Sequence, residues 1–388
     1  MNFKLADRVK NLPPYLFAEL DRLKSEALKR GVDVIDLGVG DPLDPTPPHI
    51  VQAMHEATRK VENHRYPSYV GMRSFREAVA KYYVARDVTL NPDNEVIALI
   101  GSKEGIAHIH FAFVNPGDVV LVPSPGYPVF SSSTLFSGGR IVTMPLLEKN
   151  GFLPDFSKIK EEDARAAKIM FLNYPNNPTG AVASIEFYKE AIAFAKKYNI
   201  ILCHDAAYSE VYYDKRPVSF LELEGAREVG IEFGSLSKTY NMTGWRIGWA
   251  AGNADVIFGL GKIKTNMDSG AFSAVQEAGI VALTQSQDCV EEMRHSYRIK
   301  KDVVVKGLSE AGLHVYSPGA AFYIWFKKPE NFYNSKAFSK YVLDKAGVVI
   351  TPGNGFGEYG EGYMRISLTA PLPRLKEALE RLKSVLTI

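Results

Sequence analysis

A chain of 388 residues exceeds the size at which one hydrophobic core usually stops growing, so two lobes are expected. Its 46% hydrophobic and 23% charged residues are ordinary for a globular protein and exclude a low-complexity or disordered chain. Basic residues exceed acidic ones by only 46 to 44, a formal +2, so no basic field argues for nucleic acid or an anionic membrane, and small-molecule chemistry is the default.

The opening residues 1–8 lack the apolar core of a signal peptide, and no apolar run is long enough to span a bilayer, so a cytoplasmic address is expected. An amphipathic helix is expected near residues 14–30. Beyond it, short apolar runs alternate with helical patterns, the mark of α/β winding. The runs at 95–100, 119–122, 141–144, 168–173, 200–204, 231–234 and 249–252 read as strands, most of them continuously apolar as parallel strands buried on both faces are. Between two of them, Ile185, Tyr188, Ile192 and Ala195 share one helical face after Ser184, a candidate N-cap, which supplies the crossover helix that a parallel sheet requires. Two helix–strand patterns follow residue 291. The expected division is a large domain over 46–290 on a mostly parallel seven-stranded sheet, with an N-terminal arm 1–45 joining 291–388 as a smaller α/β domain.

Ligands of open α/β sheets bind beyond the carboxyl ends of strands, and those ends are chemically loaded here. The run at 95–100 leads into Gly101-Ser102-Lys103-Glu104-Gly105 and a helix, a turn that offers backbone N–H groups to an anion such as phosphate, or is only a tight connection. The run at 168–173 leads into Tyr174-Pro175-Asn176-Asn177-Pro178-Thr179-Gly180, a rigid polar loop or a plain turn. After 200–204 stands Asp205, with Tyr208 three residues on; an acid ending an apolar strand is costly unless it meets a cation or donors, and a pyridinium nitrogen would satisfy it. After 231–234 come Ser235, Ser237, Lys238 and Arg246. Together these ends hold a phosphate clamp, an amine nucleophile and a buried carboxylate.

Other signals have plain readings. Cys203 and Cys289 are too few for a disulfide scaffold or a four-cysteine zinc site, and both are expected to be buried small hydrophobes. On a helix the spacing of His108 and His110 points their rings apart, so no metal is expected. Residues 355–360 satisfy G-x-G-x-x-G but precede a strand-like run, which reads as a mobile loop near the site mouth rather than a dinucleotide turn. Trp245 reads as packing beside the phosphate loop.

The motifs Asn177-Pro178-Thr179-Gly180, Asp205 with Tyr208, and Ser235 through Trp249 resemble the fold-type-I pyridoxal-phosphate aminotransferases of the aspartate aminotransferase superfamily, over nearly the whole chain. The stretch Asn63-His64-Arg65-Tyr66-Pro67-Ser68-Tyr69, residues 99–107 and residues 204–210 are similar, more narrowly, to the LL-diaminopimelate aminotransferases. The resemblance implies pyridoxal 5'-phosphate held covalently by Lys238, which also moves the proton at the substrate α-carbon; its pKa must fall from about 10.4 for that. It implies Asp205 on the ring nitrogen, Tyr208 and Asn177 on the phenolic oxygen, and Tyr127 stacked on the ring. The phosphate would meet Ser102, Lys103, Ser235, Ser237, Arg246 and, from the neighbouring subunit of a homodimer with shared active sites, Tyr66. Lys103 and Glu104 depart from the small or hydroxyl residues of the wider superfamily, which leaves the contacts at that turn open.

Arg365 matches the family's arginine for the α-carboxylate of amino-acid and 2-oxo-acid substrates, with Gly40 assisting through its backbone. The implied reaction is LL-2,6-diaminopimelate with 2-oxoglutarate, giving tetrahydrodipicolinate after cyclisation, and glutamate. Tyr15, Tyr69, Lys103, Tyr127 and a partner's Asp268 or Ser269 are the expected distal contacts, while Lys264 would be the fixed cation of an aspartate-specific enzyme. The same scaffold also performs β-elimination, decarboxylation or cyclisation, and occurs fused to helix-turn-helix domains in regulators; Arg365 favours transamination, and no basic N-terminal domain is seen to support a regulator.

Overall fold

The computed structural model describes residues 3–10, 12 and 16–386. Seven strands build the central sheet: β1 (Val96–Leu99), β2 (Val119–Ser124), β3 (Arg140–Pro145), β4 (Ala167–Asn173), β5 (Ile201–Asp205), β6 (Gly230–Ser235) and β7 (Gly248–Gly252). Each coincides with one of the seven apolar runs. The order across the sheet is β1-β7-β6-β5-β4-β2-β3. Only β7 runs against its neighbours β1 and β6, and the remaining pairs are parallel.

Side-chain alternation sorts these strands into two cores. Ile97, Val120, Ile169, Phe171 and Phe233 enter one cluster, while their chain neighbours Ala98, Leu121, Met170 and Leu172 enter the other. Each fully buried aliphatic or aromatic side chain contributes roughly 1.5–3 kcal/mol of transfer free energy, so both faces must stay covered. Helix α1 (Leu16–Lys29) matches the helix expected near 14–30, whose first two positions lie outside the described residues. Helix α2 (Ser102–Phe113) follows β1, and α3 (Ile185–Tyr198) crosses from β4 to β5. The Ser184 hydroxyl accepts the Phe187 N–H at 3.2 Å, and Asn199, at φ 55°, turns the chain into β5.

One strand of this apolar sheet carries a buried acid. Glu232 of β6 accepts from the Tyr83 hydroxyl at 2.8 Å and the Ser219 hydroxyl at 2.8 Å, and lies 2.9 Å from His204 Nδ1. The other ring nitrogen of His204 is 2.9 Å from the Tyr188 hydroxyl. With its oxygens so occupied, Glu232 ties β5 to β6 on one face, and Asp205, the residue after His204 in β5, faces the other.

A four-stranded antiparallel sheet stands apart, with β8 (Val315–Tyr316), β9 (Tyr323–Lys327), β10 (Thr351–Pro352) and β11 (Tyr363–Ser367) in the order β10-β11-β9-β8. Ile35–Asp36 pairs in parallel with Val348–Val349 beside it. Ile35, Leu308, Phe322, Ile324, Ile366 and Leu379 share its core. Residues 355–360 lie in two short 3-10 turns that lead into β11, so the strand–glycine–helix order of a dinucleotide turn is absent there. Trp245 is partly buried against the main core. Cys203 is buried as expected, but Cys289 is only half-buried, because it lies at the first turn of the helix Asp288–Glu310. No helix among the described residues is long and apolar enough to cross a membrane.

Candidate active site

The carboxyl ends of β4, β5 and β6 and the turn after β1 open into one cavity of about 410 Å³. Gly40, Ser102, Lys103, Tyr127, Asn177, Asp205, Tyr208, Ser235, Ser237, Lys238, Arg246 and Arg365 all line it. Residues up to 325 positions apart in the sequence therefore meet, because strand ends and the smaller sheet converge there.

Lys238 stands on a single helical turn, α4 (Leu236–Thr239), that begins where β6 ends. Ser235 caps it by accepting the Ser237 N–H at 3.2 Å. The Lys238 ammonium donates to the Gly40 carbonyl at 2.8 Å and lies 5.9 Å from the centre of the Phe322 ring. Burial pushes its pKa down to about 8; Asp41 opposes that shift while Arg246 and Arg365 add to it.

Asp205 ends β5, its main-chain carbonyl accepting from the Asn173 amide at 2.8 Å and its carboxylate from the Ala207 N–H at 3.2 Å. Burial pushes its pKa up to about 6. A carboxylate so desolvated calls for a charged donor, which a protonated ring nitrogen supplies.

Arg365 of β11 is buried and donates to Asn177 Oδ1 at 2.8 Å and to the Gly38 carbonyl at 2.6 Å. Since the Asn177 oxygen is engaged, its NH₂ is the end left for the cavity. The Arg365 guanidinium also lies over the rings of Tyr323 and Phe356, 4.3 and 4.7 Å from their centres. At the opposite end, Gly101 has φ +76°, and a Cβ placed there would come within 2.3 Å of the Arg246 guanidinium. The turn before α2 and Arg246 thus form a close-set cradle with Ser102, Ser235 and Ser237, a donor set for a phosphate dianion. An amine nucleophile, a buried acid one strand away and a phosphate cradle fit pyridoxal 5'-phosphate.

Other expected residues are not gathered. Tyr66 is 89% exposed and Tyr69 47% exposed, and neither lines the cavity of its own chain. Tyr15 lies outside the described residues. Lys264 does not offer the fixed cation: it is fully buried on α5 (Ala254–Met267), donating to Glu104 at 3.0 Å and Asp268 at 3.1 Å. The Asp268 carboxylate also accepts the Gly270 N–H at 2.7 Å, so its oxygens are committed within its own chain. His108 does not pair with His110; it stands 2.7 Å from Glu104 and, with Asp268, makes a three-ligand grouping that a helix spacing of two could not reveal. The Lys264 ammonium supplies the positive charge among these acids.

Tyr323 lines the cavity too, and like Asp21 and Val39 it was not singled out from the sequence. It lies in β9, opposite Ser367, and so is a diagonal neighbour of Arg365 on one face. Its signal was hidden in an apolar strand, Tyr323–Lys327, where tyrosine reads as core.

The aminotransferase class I and II family model matches residues 32–382. The LL-diaminopimelate aminotransferase of Halothermothrix orenii is 57% identical, with 98% of each chain covered. That of Aquifex aeolicus is also 57% identical, with 99% of each covered. Among solved structures, substrate-bound BacF from Bacillus subtilis superposes with a TM-score of 0.95 at 39% identity, covering 99% of this chain and 98% of that one. Thermus thermophilus aspartate aminotransferase, as a double mutant, gives 0.93 at 28% identity, covering 99% and 100%. With the family model spanning nearly the whole chain, the chain belongs to the class I and II aminotransferases, enzymes that use pyridoxal 5'-phosphate.

Proposed function

We propose that the chain transfers the amino group of LL-2,6-diaminopimelate to 2-oxoglutarate, giving tetrahydrodipicolinate and glutamate in lysine biosynthesis. The convergence of the Lys238 amine, the Asp205 carboxylate and the Arg365 guanidinium on one cavity carries the reaction class. The name borne by relatives 54–57% identical over nearly the full length supports the substrate.

Pyridoxal phosphate, when bound, supplies the electron-withdrawing ring that lets an amino acid give up its α-proton. Lys238 would hold it and would take and return that proton. With a pKa of about 8, roughly a tenth of the amine is neutral at pH 7, far more than for an exposed lysine. Asp205 keeps a proton on the ring nitrogen. Tyr208 and the Asn177 amide would donate to the phenolic oxygen, and Tyr127 would pack against the ring. Ser102, Lys103, Ser235, Ser237 and Arg246 hold the phosphate. Arg365 takes the α-carboxylate in bidentate fashion, with Gly40 beside it. Of the expected distal contacts, Tyr127 and Lys103 line the cavity, and whichever of them the cofactor leaves free would donate to a second carboxylate. The burial of Lys264 among its own acids speaks against an aspartate-type fixed cation.

The active unit in this reading is a cytoplasmic homodimer in which Tyr66 completes the neighbour's phosphate site, consistent with its exposure. The large domain spans 46–290, and 1–45 with 291–388 form the small one, which the separate core around Ile324 supports. A donor panel with 2-oxoglutarate tests the substrate. LL-diaminopimelate should give the highest kcat/KM among itself, its meso isomer, aspartate, alanine and aromatic donors. A tenfold advantage of aspartate or an aromatic donor, about 1.4 kcal/mol of transition-state preference, would overturn that choice and leave the cofactor chemistry standing.

A further inference from the structure

Tyr323 occupies a junction in the cavity. Its hydroxyl lies 2.8 Å from that of Tyr208, and both residues are buried. The rings meet edge on, with centres 5.5 Å apart. The Arg365 guanidinium lies over the face of the Tyr323 ring, 4.3 Å from its centre. On the other side, Gly40 leaves the room that the phenol needs: a Cβ there would stand 2.0 Å from the Tyr323 oxygen. One tyrosine thus touches the group expected at the substrate carboxylate, the backbone expected to help hold it, and the tyrosine expected at the cofactor's phenolic oxygen.

The direction of the hydrogen bond between the two phenols follows from charge. Each phenol has one proton, so whichever donates leaves the other free to donate elsewhere. Burial raises both phenols and Arg365 counters the rise in both, but it is the largest opposing influence on Tyr323, over whose ring the guanidinium lies, and a lesser one on Tyr208. Either oxygen could donate, and the cation seated over the Tyr323 ring favours Tyr323 as the donor. Tyr208 accepts, and its own proton is left to aim at the ring oxygen of a bound cofactor.

We propose that Tyr323 is a positioning residue that donates to Tyr208, fixes the Tyr208 proton toward the cofactor's phenolic oxygen, and supports Arg365 with its ring. The inference rests on the cofactor reading given above. It also couples the two ends of the substrate site: a carboxylate arriving at Arg365 reduces the positive charge over the Tyr323 ring, weakens its donation, and alters the hold of Tyr208 on the cofactor.

Tyr323→Phe in the holoenzyme separates the two roles, since the ring stays and only the hydroxyl goes. Tyr208 donation stabilises the deprotonated form of the Lys238-bound cofactor, so losing its alignment should raise the pH midpoint of the visible absorbance change by about one unit, the worth of one buried hydrogen bond. The value of kcat should fall roughly tenfold with KM little changed. Tyr323→Ala, which also removes the ring under Arg365, should raise KM for the amino acid as well. In a Tyr208→Phe background, Tyr323→Phe should leave the midpoint unmoved, because the route runs through Tyr208. An unshifted midpoint in the single variant, or an equal shift in both backgrounds, overturns the proposal. A parent that shows no pH-dependent visible absorbance would instead overturn the cofactor reading itself.

Discussion

The Lys238 ammonium donates to the Gly40 carbonyl, joining the turn after β6 to the segment whose Gly38 carbonyl accepts from Arg365. The amine is therefore held over the cavity by a group with no charge of its own, and burial keeps its pKa near 8. Lys238→Ala should lower transamination by on the order of 10²–10⁴-fold or more while leaving the fold intact. Turnover and far-UV circular dichroism on the same preparation check this; near-parental turnover would mean that another group moves the proton.

Asp205 has a sign that can be worked out. Its folded pKa is raised from 3.8 to about 6 by burial, so its cost is nil below pH 3.8, grows between there and pH 6, and is constant above. Asp205→Asn keeps an acceptor for the Ala207 N–H and removes the charge. The cofactor-free variant should be more stable than its parent by about 2–3 kcal/mol at pH 8, with the difference vanishing near pH 4, while transamination is largely lost. Denaturant midpoints at the two pH values, with unchanged slopes, provide the measurement.

Lys264→Met should destabilise the protein by at most about 3–5 kcal/mol, because it leaves the half-buried carboxylates of Glu104 and Asp268 without their cation. Lys264→Met with Glu104→Gln should recover part of the loss. If the single variant proves neutral, the triad is a solvated ornament of the turn rather than its brace.

Tyr66 provides the test of shared sites. A subunit carrying Tyr66→Phe mixed with one carrying Lys238→Ala gives a hybrid in which one of two sites has both native residues. Activity should rise above that of either parental dimer, toward roughly half of the unmutated level for each hybrid molecule. No gain on mixing would place Tyr66 outside the neighbour's site.

The sheet was legible because its strands are nearly uninterrupted apolar runs, so both existence and type could be read for all seven. The residues at strand ends were legible for the same reason: Asp205, Lys238 and Asn177 are polar where the apolar pattern stops. Tyr323 and Glu232 were not, because each sits inside a strand and is made polar in function only by partners remote in the chain. Tyr323 meets Tyr208 across 115 residues, and Glu232 meets Tyr83 across 149. Lys264 misled for a related reason. A lysine on an amphipathic helix reads as available charge, and only the packing of α5 against α2 brings Glu104 to neutralise it.

The hydrogen bond from Arg365 to the Gly38 carbonyl spans 327 residues. Closing so long a loop is slow and comes after local structure has formed. During synthesis the sheet and the Lys238 turn emerge well before Arg365 leaves the ribosome, so on the proposed roles a growing chain has its amine and phosphate cradle before the guanidinium proposed to take the substrate carboxylate. On that proposal carboxylate recognition is the last competence the polypeptide acquires, and a chain cut short before β11 would lack the substrate's guanidinium anchor.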